Sequence, residues 1–206
     1  MKKAIITDLD GTLYYQKPVQ ICMAAEILCY YIIHFWKIKE LKLVINYRKQ
    51  HNNSTNFEFQ SFCKTQNISR QVVEDLIQKW LISKPLKWIR LFSDKKLIAY
   101  LKEQKIPVVV YSDYPTEQKL KALNFTPTFQ FYFDNKNIRF LKPNPQGLEY
   151  ITKKLSLSQK DILVIGDRLD KDGLVASAFS AEYIILPQNP ITRCQILEKV
   201  KYLCIK

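Results

Sequence analysis

From residue 94 onward the chain alternates short β-rich apolar runs with helical segments, and that alternation restricts it to folds built on a parallel sheet. The pattern predicts a helix capped by Ser93 or Asp94 and running through residue 103, then strands over residues 106–111, 129–133, 162–165 and 183–186. Helices are expected between them over residues 116–124, 146–155 and 174–179, with a last helix near residues 194–202 and Asp134-Asn135 closing the second of these strands. Crossovers in such units are right-handed, and open parallel sheets bind ligands beyond the carboxyl ends of their strands. One further apolar run, Ala4-Ile5-Ile6, opens the chain and gives way to Asp8, Asp10 and Gly11.

Residues two apart on a strand share a face, so just past its end Asp8 and Asp10 can converge on one pocket. Two carboxylates that close repel, and need a cation or a shared proton. The plainer alternative is that both simply serve a turn.

Candidate groups recur at the other strand ends. In VVVYSDYP, Ser112 offers a hydroxyl and backbone N–H groups that can bind an oxyanion, although Ser-Asp after a strand is also a helix-start signal. Asp113 reads as a cap for the turn at residues 115–117 or as a substrate contact, with capping favoured. In FLKPNPQGLEY, two prolines keep the backbone at Lys142 out of a helix, and its ammonium could offset repulsion between Asp8 and a phosphate. Taken alone, it reads as a surface lysine. ILVIGDRLDKDGLVA ends a strand at Gly166-Asp167 and adds Asp172 five residues later, carboxylates of the kind magnesium prefers. Asp170 lies between them with its role open, and a solvated acidic loop is the alternative. Of four glycines, Gly11, Gly166 and Gly173 fall in these loops and only Gly147 elsewhere.

Residues 19–90 carry no β-type alternation. After Pro18, apolar residues recur at helical spacing through Ile21, Ala25, Leu28, Ile32 and Phe35, which predicts a buried helix. Residues 19–36 approach the length of a membrane span, but Gln20, Glu26 and His34 interrupt them. A turn at residues 52–56, a second helical block over residues 57–80 with Ser69 as an internal cap, and a return connection at Lys84-Pro85-Leu86-Lys87 complete this segment. Twelve of its residues from Lys17 to Arg90 are Lys or Arg against five acids, an excess of seven within a net charge of +13. An anionic partner is implied, yet the charges are scattered without nucleic-acid patterning, so a solvated basic surface is expected and no nucleic-acid partner. Five cysteines without a C-x-x-C pair indicate neither disulfides nor zinc, and with no export signal they read as reduced cytoplasmic core residues; Cys22 and Cys29, seven apart, are assigned to packing.

DLDGTLY, the Ser112 strand end, K-P-x-P at Lys142 and G-D-x-x-x-x-D from Gly166 to Asp172 together resemble, in order and placement, the four motifs of the haloacid dehalogenase-like hydrolase superfamily. The resemblance implies an α/β protein with a Rossmann-like three-layer parallel sheet core at residues 1–16 and 91–206, and an inserted α-helical cap of type 1 at residues 17–90. It implies Asp8 as nucleophile and Asp10 as acid/base, with Ser112 and Lys142 completing the catalytic set. Gly11, Thr12, Ser112, Asp113 and Lys142 would contact phosphate. Mg2+ would be held by Asp8, the Asp10 backbone carbonyl, Asp167 and Asp172. The expected activity is hydrolysis of a small phosphomonoester through an aspartyl phosphate, since dehalogenases of this kind lack the second acid. A phosphomutase or phosphotransferase outcome, or a non-catalytic basic binding protein on the same fold, stand as alternatives. The partner is then a phosphorylated small molecule, with no membrane association; the particular ester, the pathway and the oligomeric state are left open.

Overall fold

The computed structural model describes residues 2–54, 57–134 and 136–205, with side chains through residue 198. Strands β1 (Ala4–Thr7), β2 (Val108–Ser112), β3 (Phe129–Tyr132), β4 (Ile162–Gly166) and β5 (Glu182–Ile185) form one parallel sheet in the order β3-β2-β1-β4-β5. Every residue of β1, β2 and β4 is buried, as expected of strands covered on both faces.

Between β1 and β2 run α1 (Gln16–Ile33), α2 (Ile38–Asn53), α3 (Phe59–Gln66), α4 (Arg70–Ile77) and α5 (Leu86–Leu91). These precede α6 (Lys95–Lys102), which leads into β2. The later helices are α7 (Glu117–Ala122), α8 (Gln146–Lys154), α9 (Leu174–Ala178) and α10 (Pro190–Ile205). Alternating residues of the strands supply two cores. Ile5, Val108, Val110, Leu163 and Ile165 pack with Leu97 and Leu101 of α6, Leu120 of α7 and Leu197 of α10, in a cluster that continues into the helical insert. Ala4, Ile6, Val109 and Val164 pack on the opposite face with Leu148 and Ile151 of α8 and Val175 and Ala176 of α9. Truncating Ile5 or Ile6 to alanine would cost about 2–5 kcal/mol, because neither face can collapse freely.

The insert departs from its sequence pattern in instructive ways. The stripe that predicted a buried helix is turned to solvent, with Ile21 70%, Leu28 62%, Ile32 65% and Phe35 72% exposed. The packed face is instead Val19, Met23 and Tyr31, with Ile27 half-buried. Both stripes are apolar at helical spacing, and spacing alone does not say which one meets the core. Cys29 is also exposed; Cys22 is half-buried, as is Cys194, and only Cys63 among the described cysteine side chains is buried. Asn52 and Asn53 belong to α2 rather than a turn, and residues 55 and 56 of that expected turn, like Asn135, lie outside the described residues. Ser69 is extended ahead of α4, but its hydroxyl makes no capping bond. The expected return connection is helical: α4 widens into a π-helical turn, Gln78–Ser83, that leads through Lys84 and Pro85 into α5. Of the two candidates ahead of α6, Asp94 is the cap, accepting from Leu97 N at 3.0 Å. Among the described residues no single helix is long and apolar enough to cross a membrane.

Candidate active site

β1 delivers Asp8 to the carboxyl edge of the sheet, where its N–H donates to Ile165 O of β4 at 2.8 Å. The chain then turns sharply, with Leu13 N donating back to Leu9 O at 3.0 Å. Thr12 Oγ1 donates to Asp8 Oδ2 at 3.2 Å. Gly11 adopts φ +95°, and a Cβ there would lie 2.2 Å from Asp167 Oδ2, so both conformation and space require glycine.

Lys142, 4% exposed, bridges two of the acids, donating to Asp8 Oδ1 at 2.6 Å and to Asp172 Oδ1 at 2.7 Å. The Lys142-Pro143 peptide is cis. Asp172 Oδ2 accepts from Asp167 N and Arg168 N at 3.3 and 3.2 Å. Ligand oxygens of Asp8, Asp167 and Asp172 lie within 4.8 Å of one another, and Asp167 Oδ1 is buried without a hydrogen-bond partner. Burial, with Asp172, Asp167 and Asp10 nearby, pushes the Asp8 carboxyl well above the ordinary carboxylate range against the pull of Lys142. Burial and Asp172 likewise raise Asp167 to about 7. Against its own burial, Lys142 is held well above the usual lysine range by Asp172 and Asp8. Three crowded carboxylates, two of them bonded to one ammonium and the third with one oxygen unpartnered, are hard donors that fit a divalent cation. Asp170 stands apart, paired at the surface with Arg168.

Asp10 is held differently. Lys119 of α7 donates to both of its oxygens, at 2.6 and 2.8 Å, and Tyr14 OH donates to Oδ1. Burial alone would raise the Asp10 carboxyl, but the Lys119 charge and these bonds outweigh it and hold the group below the usual range. Ser112 Oγ lies 3.5 Å from Asp10 Oδ2 and accepts from Tyr114 N at 3.1 Å. Asp113 does not cap the following turn: Oδ1 accepts from Lys142 N at 3.1 Å and Oδ2 pairs with Lys171 Nζ at 2.8 Å. It braces the Lys142 loop against the loop after β4.

Asp8, Asp10, Ser112, Asp113, Lys142, Asp167 and Asp172 thus line one cavity of about 240 Å³, while Gly11 and Thr12 support it from behind. Four residues bonded into this cluster escaped the sequence. Besides Lys119 and Lys171, Gln188 Nε2 donates to Gly11 O and Asp167 Oδ2 at 2.9 and 3.0 Å. Arg193, fully buried, donates to Asp94 Oδ2 at 2.6 Å, to Gly11 O at 3.1 Å and to Thr12 O. In a chain with 32 Lys and Arg residues, one more lysine on a short helix gives no signal. The insert reaches the site through α2, where His51 stacks on Tyr114 at 4.3 Å and Asn52 Oδ1 accepts from Tyr114 OH at 3.1 Å.

Residues 2–179 match the family model for haloacid dehalogenase-like hydrolases. No curated protein matches the chain. Among solved structures, the chain is similar to a HAD phosphatase from Thermococcus onnurineus at TM-score 0.59 and 16% identity, over 92% of this chain and 88% of that one. It is similar to the Bacillus subtilis protein YfnB, crystallised bound to magnesium, at TM-score 0.55 and 14% identity over 90% and 88% of the chains. A 2-haloacid dehalogenase from Pseudomonas syringae pv. Tomato gives 0.55 and 14%, over 90% and 86%. At these identities the likeness is one of fold.

Proposed function

The chain belongs to the haloacid dehalogenase-like hydrolases, and from that premise we propose that it is a magnesium-dependent phosphatase acting on a small phosphomonoester. The observation that carries this reading is the second acid: Asp10 faces the same cavity as Asp8 and has its own cationic partner, Lys119. A dehalogenase attacks carbon and has no alkoxide leaving group to protonate, whereas ester cleavage needs a proton carrier beside the nucleophile.

In the first step Asp8 attacks phosphorus, the P–O bond to the alcohol breaks, and Asp10 gives the departing oxygen its proton. Water then attacks the aspartyl phosphate, Asp10 takes the water's proton, and the Asp8–phosphorus bond breaks to release inorganic phosphate. The incoming phosphoryl dianion competes for Lys119, which frees Asp10 to carry a proton. Lys142 and Ser112 balance charge on the equatorial oxygens, the dominant contribution in phosphoryl transfer. Thr12 keeps Asp8 oriented for in-line attack, and Asp113 keeps Lys142 aimed at it. Asp8, Asp167, Asp172 and the backbone carbonyl of Asp10 would hold Mg2+, with the unpartnered Asp167 Oδ1 the foremost free donor. When bound, Mg2+ supplies positive charge that neutralises the crowded carboxylates and the phosphoryl oxygens. Residues 17–90 serve as a cap over the core formed by residues 1–16 and 91–206, and exclude water during transfer.

The test is turnover of an aryl phosphate with Mg2+ present. Activity should vanish with EDTA and in Asp8→Asn; activity that survives Asp8→Asn sinks the proposed nucleophile.

A further inference from the structure

Resting on the phosphatase reading, we propose that the alcohol portion of the substrate is apolar: the enzyme cleaves phosphomonoesters of hydrophobic alcohols. The cavity that begins at Asp8 and Asp10 continues without a break into the helical insert. There its walls are Val19 and Met23 of α1, Val44 of α2, Trp80 and Leu81 of the π-helical turn, and Ile89 of α5. Among the described residues the insert sends no carboxylate into this cavity, and its one cation there is Arg48. The rest of the insert's polar lining is Gln20 and Asn52, and Asn52 Oδ1 already accepts from Tyr114 OH at 3.1 Å.

A sugar or nucleoside leaving group would strip water from several hydroxyls against such walls, at about tenfold in affinity or more for each one left unmatched. An alkyl or aryl group loses nothing polar and gains about fourfold per buried methylene, the equivalent of ~0.8 kcal/mol. Lys119 and Lys142, bonded to Asp10 and Asp8, lie at the opposite end, so the cavity is polar where phosphorus would sit and apolar where the alcohol would extend.

The experiment measures kcat/KM for straight-chain alkyl phosphates of increasing length, alongside glucose 6-phosphate, with Mg2+ present. The expected result is a rise of about fourfold per methylene until the cavity is filled, with the longer esters well above the sugar phosphate. A flat series, or preference for glucose 6-phosphate, overturns the apolar-alcohol inference and leaves the phosphatase reading standing. Cleavage of no ester at all overturns both.

A separate observation carries a second inference. The chain bends by 113° from α1 into α2 at the 3-10 turn Phe35–Lys37, and the apex presents Ile32, Ile33, Phe35, Trp36 and Ile38 to solvent, Trp36 at 63%. The exposed stripe of Ile21 and Leu28 runs into this apex, and Phe35 and Trp36 pack edge to face at 5.3 Å. Exposed Lys39, Lys42 and Lys49 follow on α2, while Glu40 is neutralised by Lys37 at 3.8 Å. We infer that this corner docks on an anionic lipid bilayer. A second copy of this strongly basic chain, +13 overall, would bring the same lysines against these, whereas a bilayer of anionic lipids supplies both an apolar interior and opposite charge. Lying on a membrane differs from crossing one, and among the described residues no single helix is long and apolar enough to cross.

Co-sedimentation with phosphatidylcholine vesicles containing about 30% phosphatidylglycerol tests it, since each lysine near such a surface adds to the attraction. Binding should be at least tenfold weaker to pure phosphatidylcholine and in high salt, and Phe35→Ser/Trp36→Ser should lose it while turnover of a soluble aryl phosphate is unchanged. Absence of binding to the anionic vesicles, or self-association of the free protein that the same double substitution abolishes, overturns it.

Discussion

The Lys119 ammonium lies 2.6 and 2.8 Å from the two carboxylate oxygens of Asp10, with both side chains largely buried. Lys119→Met would leave Asp10 to the hydroxyls of Tyr14 and, more distantly, Ser112. Removing one partner of such a pair costs on the order of 3 kcal/mol, because the other charge stays buried without compensation. Urea denaturation should register that loss, and kcat/KM for an aryl phosphate should fall about 10²-fold as the acid/base loses its setting. Lys119→Arg, which keeps the charge, should recover most of the stability and part of the rate.

Arg193 ties α10 to the loop after β1, and Asp94 joins that bond to its own role as the cap of α6. Arg193→Leu strands the 3% exposed Asp94 carboxylate, so a loss of about 3–5 kcal/mol is expected in chemical denaturation. Arg193→Lys should rescue little, because one ammonium cannot span Asp94 and the carbonyls of Gly11 and Thr12 together.

Acid should loosen the insert from the core through His51. Burial pushes this imidazole down to about 4, against the pull of Asp113, and its Nδ1 has no hydrogen-bond partner among the described residues. The unfolded chain takes the proton near pH 6.5 and the folded one only near pH 4, so stability rises with pH across that window and is lost on acidification. The full effect is about 3 kcal/mol. Comparing melting temperatures of the wild type and His51→Phe between pH 4 and 6.5 checks it: the difference should close toward the upper end and widen toward the lower.

If Mg2+ occupies the Asp8, Asp167 and Asp172 cluster, the ion should stabilise the fold by about 2.7 kcal/mol at a hundredfold excess over its Kd. Thermal melts with Mg2+ and with EDTA should differ accordingly. Asp167→Ala should abolish the difference, whereas Asp170→Ala, at the surface with Arg168, should preserve it.

The fold and the acidic cluster were legible because both are written locally. A parallel strand buried on two faces reads as an uninterrupted apolar run, and the groups at its carboxyl end follow within a few residues, as with Asp8 after β1, Ser112 ending β2 and Asp167 after β4. Lys119, Gln188 and Arg193 reach the site from helices and loops whose approach depends on packing, which no local pattern encodes. Asp113 shows the opposite failure: its sequence setting suits a cap, but the Lys142 backbone and Lys171 arrive from distant segments and claim both oxygens. For α1 the periodicity gave the correct element and the wrong face, since two apolar stripes compete and only the folded insert decides between them.

The chain leaves the core and returns to it at neighbouring points. Tyr14 and Ser93 form an isolated antiparallel bridge, Tyr15 N donates to Phe92 O at 2.9 Å, and Asp94 N donates to Leu13 O at 3.0 Å. The two ends of the helical insert are therefore a hydrogen bond apart, like the two leads of a plug. Whatever is wired between them can be lengthened, shortened or exchanged for another set of helices without moving β1 or α6. Substrate selectivity could then diversify in the detachable part while the acidic cluster of Asp8, Asp167 and Asp172 stays in the socket.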